Sequence, residues 1–511
     1  MPDLIAASLV TLHCLCLLLL CIYGFHRLWL VRTHLQTRDI PETTPKKLPN
    51  LPKVTIQLPI YNEREVLSRL LEFTTSIDYP VGSLEIQLLD DSTDQTAALA
   101  DELVTVYRRE GINIKRITRP TREGYKAGAL ANGLEQAEGE FVAIFDADFL
   151  PPPGFLKESI HFFSDPEIGM VQCRWAHTNC NFSLLTRAQA ILLDGHFGIE
   201  HPARNRSQCF FNFNGTAGIW RKTAIDEAGG WNGDTLTEDL DLSYRAQLNG
   251  WKFKYLPSIS IPAELPIDLE GFKSQQHRWT KGAIEVLKKL GPQILRSKIS
   301  NQQKREALFH LTSNCCYPLL LVAGLSSLPA LEAQRQFSSS RLETVTSWAD
   351  ALFLTSFFSV VLFYGVATRE KRKPSLHSIF EILSALAIGI ALSLSNTIAV
   401  LEGLIGKTSP FNVTPKTGVV DGSPRPQIRT RKQVWRPWLP VGEFVLALYF
   451  FITLVHSLRL GYFRSIPFAF LFTWGFAYFA TIGLVKKASL LRSLRIFKTI
   501  HLRPIRGTAN D

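Results

Sequence analysis

Apolar residues fall into different regimes along the chain. Long unbroken runs lie towards both ends, and a middle stretch, 51–290, has ordinary globular composition. The first run, 4–30, holds no charge between Leu15 and Ile22. It is longer than a secretory h-region and no small-residue cleavage site follows, so it predicts a membrane anchor. A proline-bearing linker at 41–52 leads into the middle stretch. There, short β-prone runs alternate with helical periodicity. Strands are expected at 54–59, 84–89, 112–117 and 141–145. Helices are expected at 65–76, from Thr93 or Asp94 onward with either as N-cap, and from the glycine-rich Gly124-Tyr125-Lys126-Ala127-Gly128. Such alternation predicts an α/β domain with an open, mainly parallel sheet.

Beyond residue 300 the pattern returns to long apolar runs, at 308–331, 348–368, 441–458 and 467–485. A further stretch, 379–405, carries Glu381 and Glu402 and reads two ways. If it crossed a bilayer, two basic segments would lie outside, against the positive-inside rule. Laid in the interface, or made re-entrant, it gives five spans with every basic segment on one side. The chain then divides into a membrane helix (1–31), a linker (32–52) and a cytosolic domain (53–300). A membrane region follows (301–486), with an interfacial helix at about 376–405 and a loop at about 406–436, and then a basic tail (487–511).

The net charge of +11 follows the same topology. Basic residues cluster at 27–47, 369–373, 425–436 and 486–506, beside the apolar runs, which points to a membrane surface and not to nucleic acid. The eight cysteines form no paired C-x-x-C set, so neither a zinc site nor a disulfide framework is expected. The N-x-S/T triplets at Asn181, Asn205, Asn214 and Asn412 read as chance matches in a reducing compartment.

The candidate chemistry sits at strand ends. Asp146 and Asp148 follow an apolar strand, two apart and therefore on one side of an extended segment. Exposed Asp-rich turns share this spacing. At a strand tip of an open sheet, however, two like charges invite a divalent cation, and Mg²⁺ or Mn²⁺ prefers such oxygens completed by substrate phosphates. Tyr61, Glu63, Asp90 and Asp91 end the neighbouring strands and would line the same crevice, which suits a nucleoside diphosphate. Asn212-Phe213-Asn214-Gly215-Thr216 sets amides and a hydroxyl beside small residues. Thr237-Glu238-Asp239-Leu240-Asp241 reads as a helix N-terminus with Thr237 as cap. Gln275, Arg278 and Trp279 share a helix face, where amide, guanidinium and indole suit a sugar or a phosphate. Trp279 could equally serve as an interfacial anchor.

In this order, Asp90/Asp91, Asp146-Ala147-Asp148, Thr237-Glu238-Asp239 and Gln275-x-x-Arg278-Trp279 resemble the D, D-x-D, T-E-D, Q-x-x-R-W signature of processive family 2 glycosyltransferases. Longer strings at 126–130, 142–149, 213–218, 250–253 and 275–279 look closest to the plant cellulose synthase-like A and C groups, makers of mannan or glucomannan and of the xyloglucan backbone. Phe411-Asn412-Val413-Thr414-Pro415-Lys416 resembles the F-x-V-T-x-K gating loop of cellulose synthases. Two departures stand out. The stretch after Val485 is too short for a cyclic-di-GMP-binding domain, and one N-terminal span stands where cellulose synthases have more.

The resemblance implies a Rossmann-like GT-A domain set between membrane helices. It also implies inverting transfer of a hexose from UDP-glucose or GDP-mannose to the end of a β-glycan, with extrusion through the spans. Asp239, with Glu238 beside it, would be the general base, and Asp146 and Asp148 would hold Mg²⁺ or Mn²⁺. Tyr61, Glu63, Asp90, Asp91, Lys126, Asp146, Gln275 and Arg278 would bind the donor. Asn214, Gly215, Thr216 and Trp279 would lie at the acceptor, and Phe411, Val413, Thr414 and Lys416 would close over the nucleotide. The implied partners are a nucleotide sugar, a glycan acceptor and the bilayer, without nucleic acid. The setting would be a bacterial inner membrane or a Golgi membrane. A non-processive glycolipid enzyme, like ceramide glucosyltransferases, shares the D-x-D and an R-W motif. A transporter without catalysis would not need the full acid set.

Overall fold

A computed structural model describes residues 2–41, 44–336, 340–369, 375–411, 413–423 and 436–501. Parts of the basic clusters (370–373, 425–435 and 502–506) and Asn412 lie outside these residues. The chain opens with a long helix, α1 (Pro2–Thr37), and then enters the α/β domain. This runs β1 (Val54–Ile60), α2 (Arg64–Thr75), β2 (Leu84–Asp90), α3 (Thr96–Arg109), β3 (Ile114–Ile117), α4 (Tyr125–Glu135) and β4 (Phe141–Ile144). It continues through α5 (Phe155–Ser159), β5 (Ile168–His177), α6 (Leu184–Gly195), α7 (His201–Arg206), β6 (Gly218–Arg221), α8 (Lys222–Glu227), α9 (Glu238–Leu248) and β7 (Lys252–Ala263). Helix α3 starts later than expected; Asp94 Oδ1 accepts from Thr96 N at 2.8 Å and turns the chain into it.

The strands form one sheet in the order β3-β2-β1-β4-β6-β5-β7. β1 to β4 are parallel, as the alternation predicts, while β6 runs antiparallel to both β4 and β5. The reason is local. After Asn214–Thr216 the chain already stands at the end of the sheet where Asp146 lies, so it must run back; Ala217 N donates to Ile144 O at 2.9 Å. β4 is buried on both faces: Phe141 and Ala143 join one core, Val142 and Ile144 the other. One face of β1 and β2 is buried yet polar. Gln57 Nε2 donates to Gln87 Oε1 at 3.0 Å, and Glu85 accepts from Thr55 Oγ1 at 2.5 Å and from Glu138 N at 2.9 Å. Burial alone would raise the Glu85 carboxyl; Lys115, Thr55 and the Glu138 N–H hold it below the usual range.

The remaining helices are α10 (Leu269–Arg296), α11 (Asn301–Thr312), α12 (Cys316–Gln336), α13 (Ser340–Arg369), α14 (Leu376–Ile405), α15 (Leu439–Leu460) and α16 (Ile466–His501). Six described segments are long and apolar enough to cross a membrane: α1, the stretch 301–333, and α13 to α16. One more candidate therefore emerges than the five spans expected, because 376–405 is a continuous helix. α14 is also the most enclosed of the six. It packs along α6, α10, α12 and α16, and Gly475 admits the approach of α16: a Cβ there would collide with Ala387 O. Both of its carboxylates face protein. Glu381 meets His377 at 3.1 Å and Arg187 of α6 at 3.7 Å, and Glu402 meets His277 of α10 at 3.0 Å. The same Glu402 binds Lys407 at 3.1 Å and Arg436 at 2.7 Å, holding both ends of the intervening loop. α10 is tied to α15 by an ion pair inaccessible to solvent, Lys273–Glu443 at 2.7 Å.

Candidate active site

Parallel strands deliver their C-terminal ends to one edge of the sheet, so β1, β2 and β4 put their polar tips side by side. Those tips line a cavity of about 150 Å³ together with the start of α9, the face of α10, and Phe411, Val413, Thr414 and Lys416. Most of the residues singled out from sequence meet here: Tyr61, Glu63, Asp91, Lys126, Asp146, Asp148, Asn214, Gly215, Glu238, Asp239, Gln275, Arg278, Trp279, Phe411, Val413, Thr414 and Lys416.

Asp90 and Thr216 are not among the lining residues. Asp90 is buried and turned to Arg116 at 2.8 Å, while Asp91 carries the cavity position and takes two bonds from Arg119, at 2.8 and 2.6 Å. Thr216 lies underneath: its hydroxyl accepts from Asp146 N at 2.9 Å and so holds the acid strand tip in place. Thr237 precedes α9, but its side chain makes no capping bond. It packs against α10, filling the space a Cβ at Gly282 would need, and its hydroxyl has no partner among the described residues. Gly215 has φ 78°, and a Cβ on it would stand 3.0 Å from Asp239 Oδ2 and 3.3 Å from Lys126 Nζ, so glycine is required there.

The acids are matched by cations. Lys126 Nζ pairs with Asp146 and donates to Gly215 O at 2.9 Å. Lys416 Nζ lies 2.8 Å from Asp148 Oδ1, and Asp148 Oδ2 accepts from Glu264 N at 3.1 Å. Each carboxylate of the pair is thus balanced by an ammonium, the charge balance a hard divalent ion would otherwise supply. The two acids fit such an ion, which takes one or two carboxylates and completes its shell with phosphate oxygens and water. Among the described residues no cluster of three or more ligating side chains forms a cage made of protein alone. Burial, with Asp148 and Asp146 nearby, pushes the Glu63 carboxyl up to about 8 against the pull of Lys416. Burial and the neighbouring Glu238 push Asp239 up to about 7, against Lys126 and the Leu240 N–H. A carboxylate there can accept a proton near neutral pH.

Phe411, Val413, Thr414 and Lys416 close one side of this cavity. Phe411 stacks on Tyr125 with centroids 5.7 Å apart, and the Arg278 guanidinium sits 4.4 Å above its ring. Thr417 and Gly418 donate their backbone N–H groups to Glu264. Sequence reasoning missed Glu264, and also Arg122, whose guanidinium covers the Tyr61 ring at 3.4 Å. Neither stands in a recognisable motif.

A second cavity, about 290 Å³, adjoins the first; the two share Asp239, Asn214, Gln275 and Trp279. Trp175 of β5 lines both, and His196, His310, Asn314 and Tyr364 add to the second wall, from the turn after α6, α11, the turn before α12, and α13. None of these was flagged from sequence. The π turn His196–Glu200 that presents His196 has no periodicity of its own to read.

Comparison with known proteins bears on this geometry. Residues 52–282 match the family described as "Glycosyltransferase like family 2". Glucomannan 4-beta-mannosyltransferase 7 of Arabidopsis thaliana is 35% identical over 417 residues, 77% of this chain and 71% of that protein. Probable glucomannan 4-beta-mannosyltransferase 3 of the same plant is 34% identical over 462 residues, 85% and 78%. Among solved structures, the mannosyltransferase PcManGT from Pyrobaculum calidifontis, in complex with GDP-Man and Mn²⁺, superposes with a TM-score of 0.51 at 18% identity, over 80% of this chain and 100% of that one. At that identity the likeness concerns the GT-A fold.

Proposed function

Because this chain belongs to the family 2 glycosyltransferases, as a membrane hexosyltransferase related to glucomannan 4-beta-mannosyltransferases, we propose that it moves mannose from GDP-mannose to the end of a β-mannan or glucomannan chain, with UDP-glucose as the second donor. The observation that carries the reading is the convergence of Asp146, Asp148, Lys126, Arg278 and Asp239 on one cavity that continues into a second.

Transfer needs a sugar hydroxyl to attack the anomeric carbon while a nucleoside diphosphate leaves. Asp239, at the junction of the cavities, takes the hydroxyl proton. Lys126, Arg278 and Lys416 meet the charge that grows on the diphosphate. Asp146 and Asp148 would hold Mg²⁺ or Mn²⁺, which would supply further charge stabilisation there. The base sits between Tyr61 and Asp91, with Arg122 and Arg119 holding that end. One base and one displacement give inversion at the anomeric carbon without a covalent intermediate. Phe411 to Lys416 keeps water from the activated donor and must lift to admit it, since Lys416 already occupies Asp148. Trp279 stacks on the terminal sugar of the acceptor, and the second cavity receives the chain before it enters the membrane helices.

The catalytic domain lies on the cytosolic side, with α14 along the interface. Glu381 and Glu402, near opposite ends of α14, both bond to helices flanking the active site, α6 and α10. At about 1.5 Å per residue a crossing helix would carry one of them to the far side of the bilayer.

The test is a donor screen on purified protein in lipid, with GDP-mannose and UDP-glucose, Mg²⁺ or Mn²⁺ and a manno-oligosaccharide, followed by linkage analysis. A long β-linked glycan with release of GDP is the expected result. A single hexose on lipid would replace the polymer reading with the glycolipid one. No diphosphate release from any donor would reject transfer.

A further inference from the structure

Beneath the junction of the two cavities, polar groups are joined in a chain that the reaction above does not use. Glu200 stands at one end of it. Its carboxylate is paired with Arg27 of α1 and accepts from Arg204 Nη1 at 3.1 Å. His196 Nδ1 lies 3.2 Å from Glu200 Oε2, and His196 Nε2 lies 3.0 Å from Asn214 Nδ2. Asn214 Oδ1 lies 2.6 Å from His201 Nε2, and His201 is fully buried.

The direction of every bond in this chain follows from its charged end. Glu200, held by two guanidiniums, is an anion and can only accept, so His196 carries its proton on Nδ1. With burial and Arg204 and Arg27 close by, His196 stays neutral, which leaves Nε2 a bare acceptor. Asn214 must then turn its NH₂ group to His196 and its carbonyl to His201, which donates from Nε2. The far nitrogen of His201, Nδ1, is buried with no partner among the described residues. It is therefore a lone pair and not a stranded N–H, the less costly of the two orphans. The opposite setting of Asn214 would leave Nδ1 of His196 bare against the Glu200 carboxylate.

A primary amide has two N–H bonds. One of Asn214's goes to His196; the other is left for the space shared by the two cavities, beside Asp239. We propose that His196 is a positioning residue for the acceptor: through Asn214 it presents an N–H, not a carbonyl, to an oxygen of the terminal acceptor sugar. The neutral relay suits an uncharged hexose and lies apart from the ionic groups that face the donor. The inference rests on the glycosyltransfer reading for its ligand.

His196→Asn and His196→Gln separate the two bonds. Asparagine replaces Nδ1 and keeps the Glu200 contact, but cannot reach Asn214. Glutamine reaches to the place of Nε2 and can still accept from Asn214. Kinetics are measured with manno-oligosaccharide and GDP-mannose varied in turn, and GDP binding confirms that each variant is folded. H196N is expected to raise the acceptor KM about tenfold with kcat and the donor KM little changed, and H196Q to recover most of the loss. Equal effects of H196N and H196Q, or a donor KM that moves as far as the acceptor KM, overturn the proposal. Asn214→Asp, with both histidines kept, removes the N–H without changing shape; an acceptor KM unaltered in N214D overturns it independently. An unsubstituted protein that transfers no sugar sinks the glycosyltransfer reading itself. Failure of this inference alone leaves that activity intact and appears only in the variants.

Discussion

The two adjoining cavities are built from different chemistry. The first is ionic: Lys126 against Asp146, Lys416 against Asp148, and Arg278 within reach of Asp146, Glu238 and Asp239. The second is lined mainly by amides, imidazoles and rings; of its two carboxylates, Asp239 is shared with the first cavity and Glu200 is turned towards Arg27 and Arg204. A diphosphate brings charge that must be met, whereas a hexose chain brings none and needs only hydrogen bonds and stacking faces. Reading both walls as one polar cleft would lose that division of labour. Asp239 stands on the border, where the proposed reaction would pass a proton from the acceptor side to the ionic one.

The largest effect is expected at that border. Asp239→Asn should cut transfer about 10³-fold or more while leaving nucleotide affinity nearly unchanged, measured by product formation and by a GDP titration. Parallel loss of both would place Asp239 in donor binding and erase the border. On the ionic side, Lys416→Met should raise the donor KM about tenfold and spare the acceptor KM. On the neutral side, Trp279→Ala should do the reverse to a similar extent, through lost stacking. A crossed result for either would break the comparison. Thr414→Ala, in the covering segment, should lower turnover about threefold and leave Mn²⁺ affinity alone, read by titration of the bound ion. The pH profile sharpens the point. A base raised to about 7 by burial and Glu238 must lose its proton before it can work, so kcat/KM should rise through about pH 7 and then level. The smallest effect expected is that of salt: going from about 0.05 to about 0.3 M should weaken donor binding modestly and acceptor binding hardly at all.

Much of the ionic side is legible in the sequence. Strand ends are marked by the switch from apolar runs to acids, and parallel β1, β2 and β4 bring those ends together whatever the loops do. Asp90 and Asp91 could not be separated by sequence, because their facing depends on Arg116 and Arg119. Thr216 was expected at the acceptor, whereas its hydroxyl lies beneath the cavity and accepts from Asp146 N. The antiparallel β6 escaped notice because direction within a sheet leaves no trace in periodicity. The neutral side was hardly legible at all. His196, His310 and Tyr364 come from elements distant in sequence, meet only through helix packing, and belong to no motif. For α14, Glu381 and Glu402 both find partners within the protein, and the helix is long enough to be counted among the spans.

Glu402 holds Lys407 and Arg436, the two roots of the strap that carries Phe411 and Lys416, and touches His277, whose chain neighbour is Arg278. One carboxylate therefore rivets both roots to the helix pair that bears Arg278. In the polymer-making reaction proposed above, such a rivet would spare the cover a search for its seat between cycles.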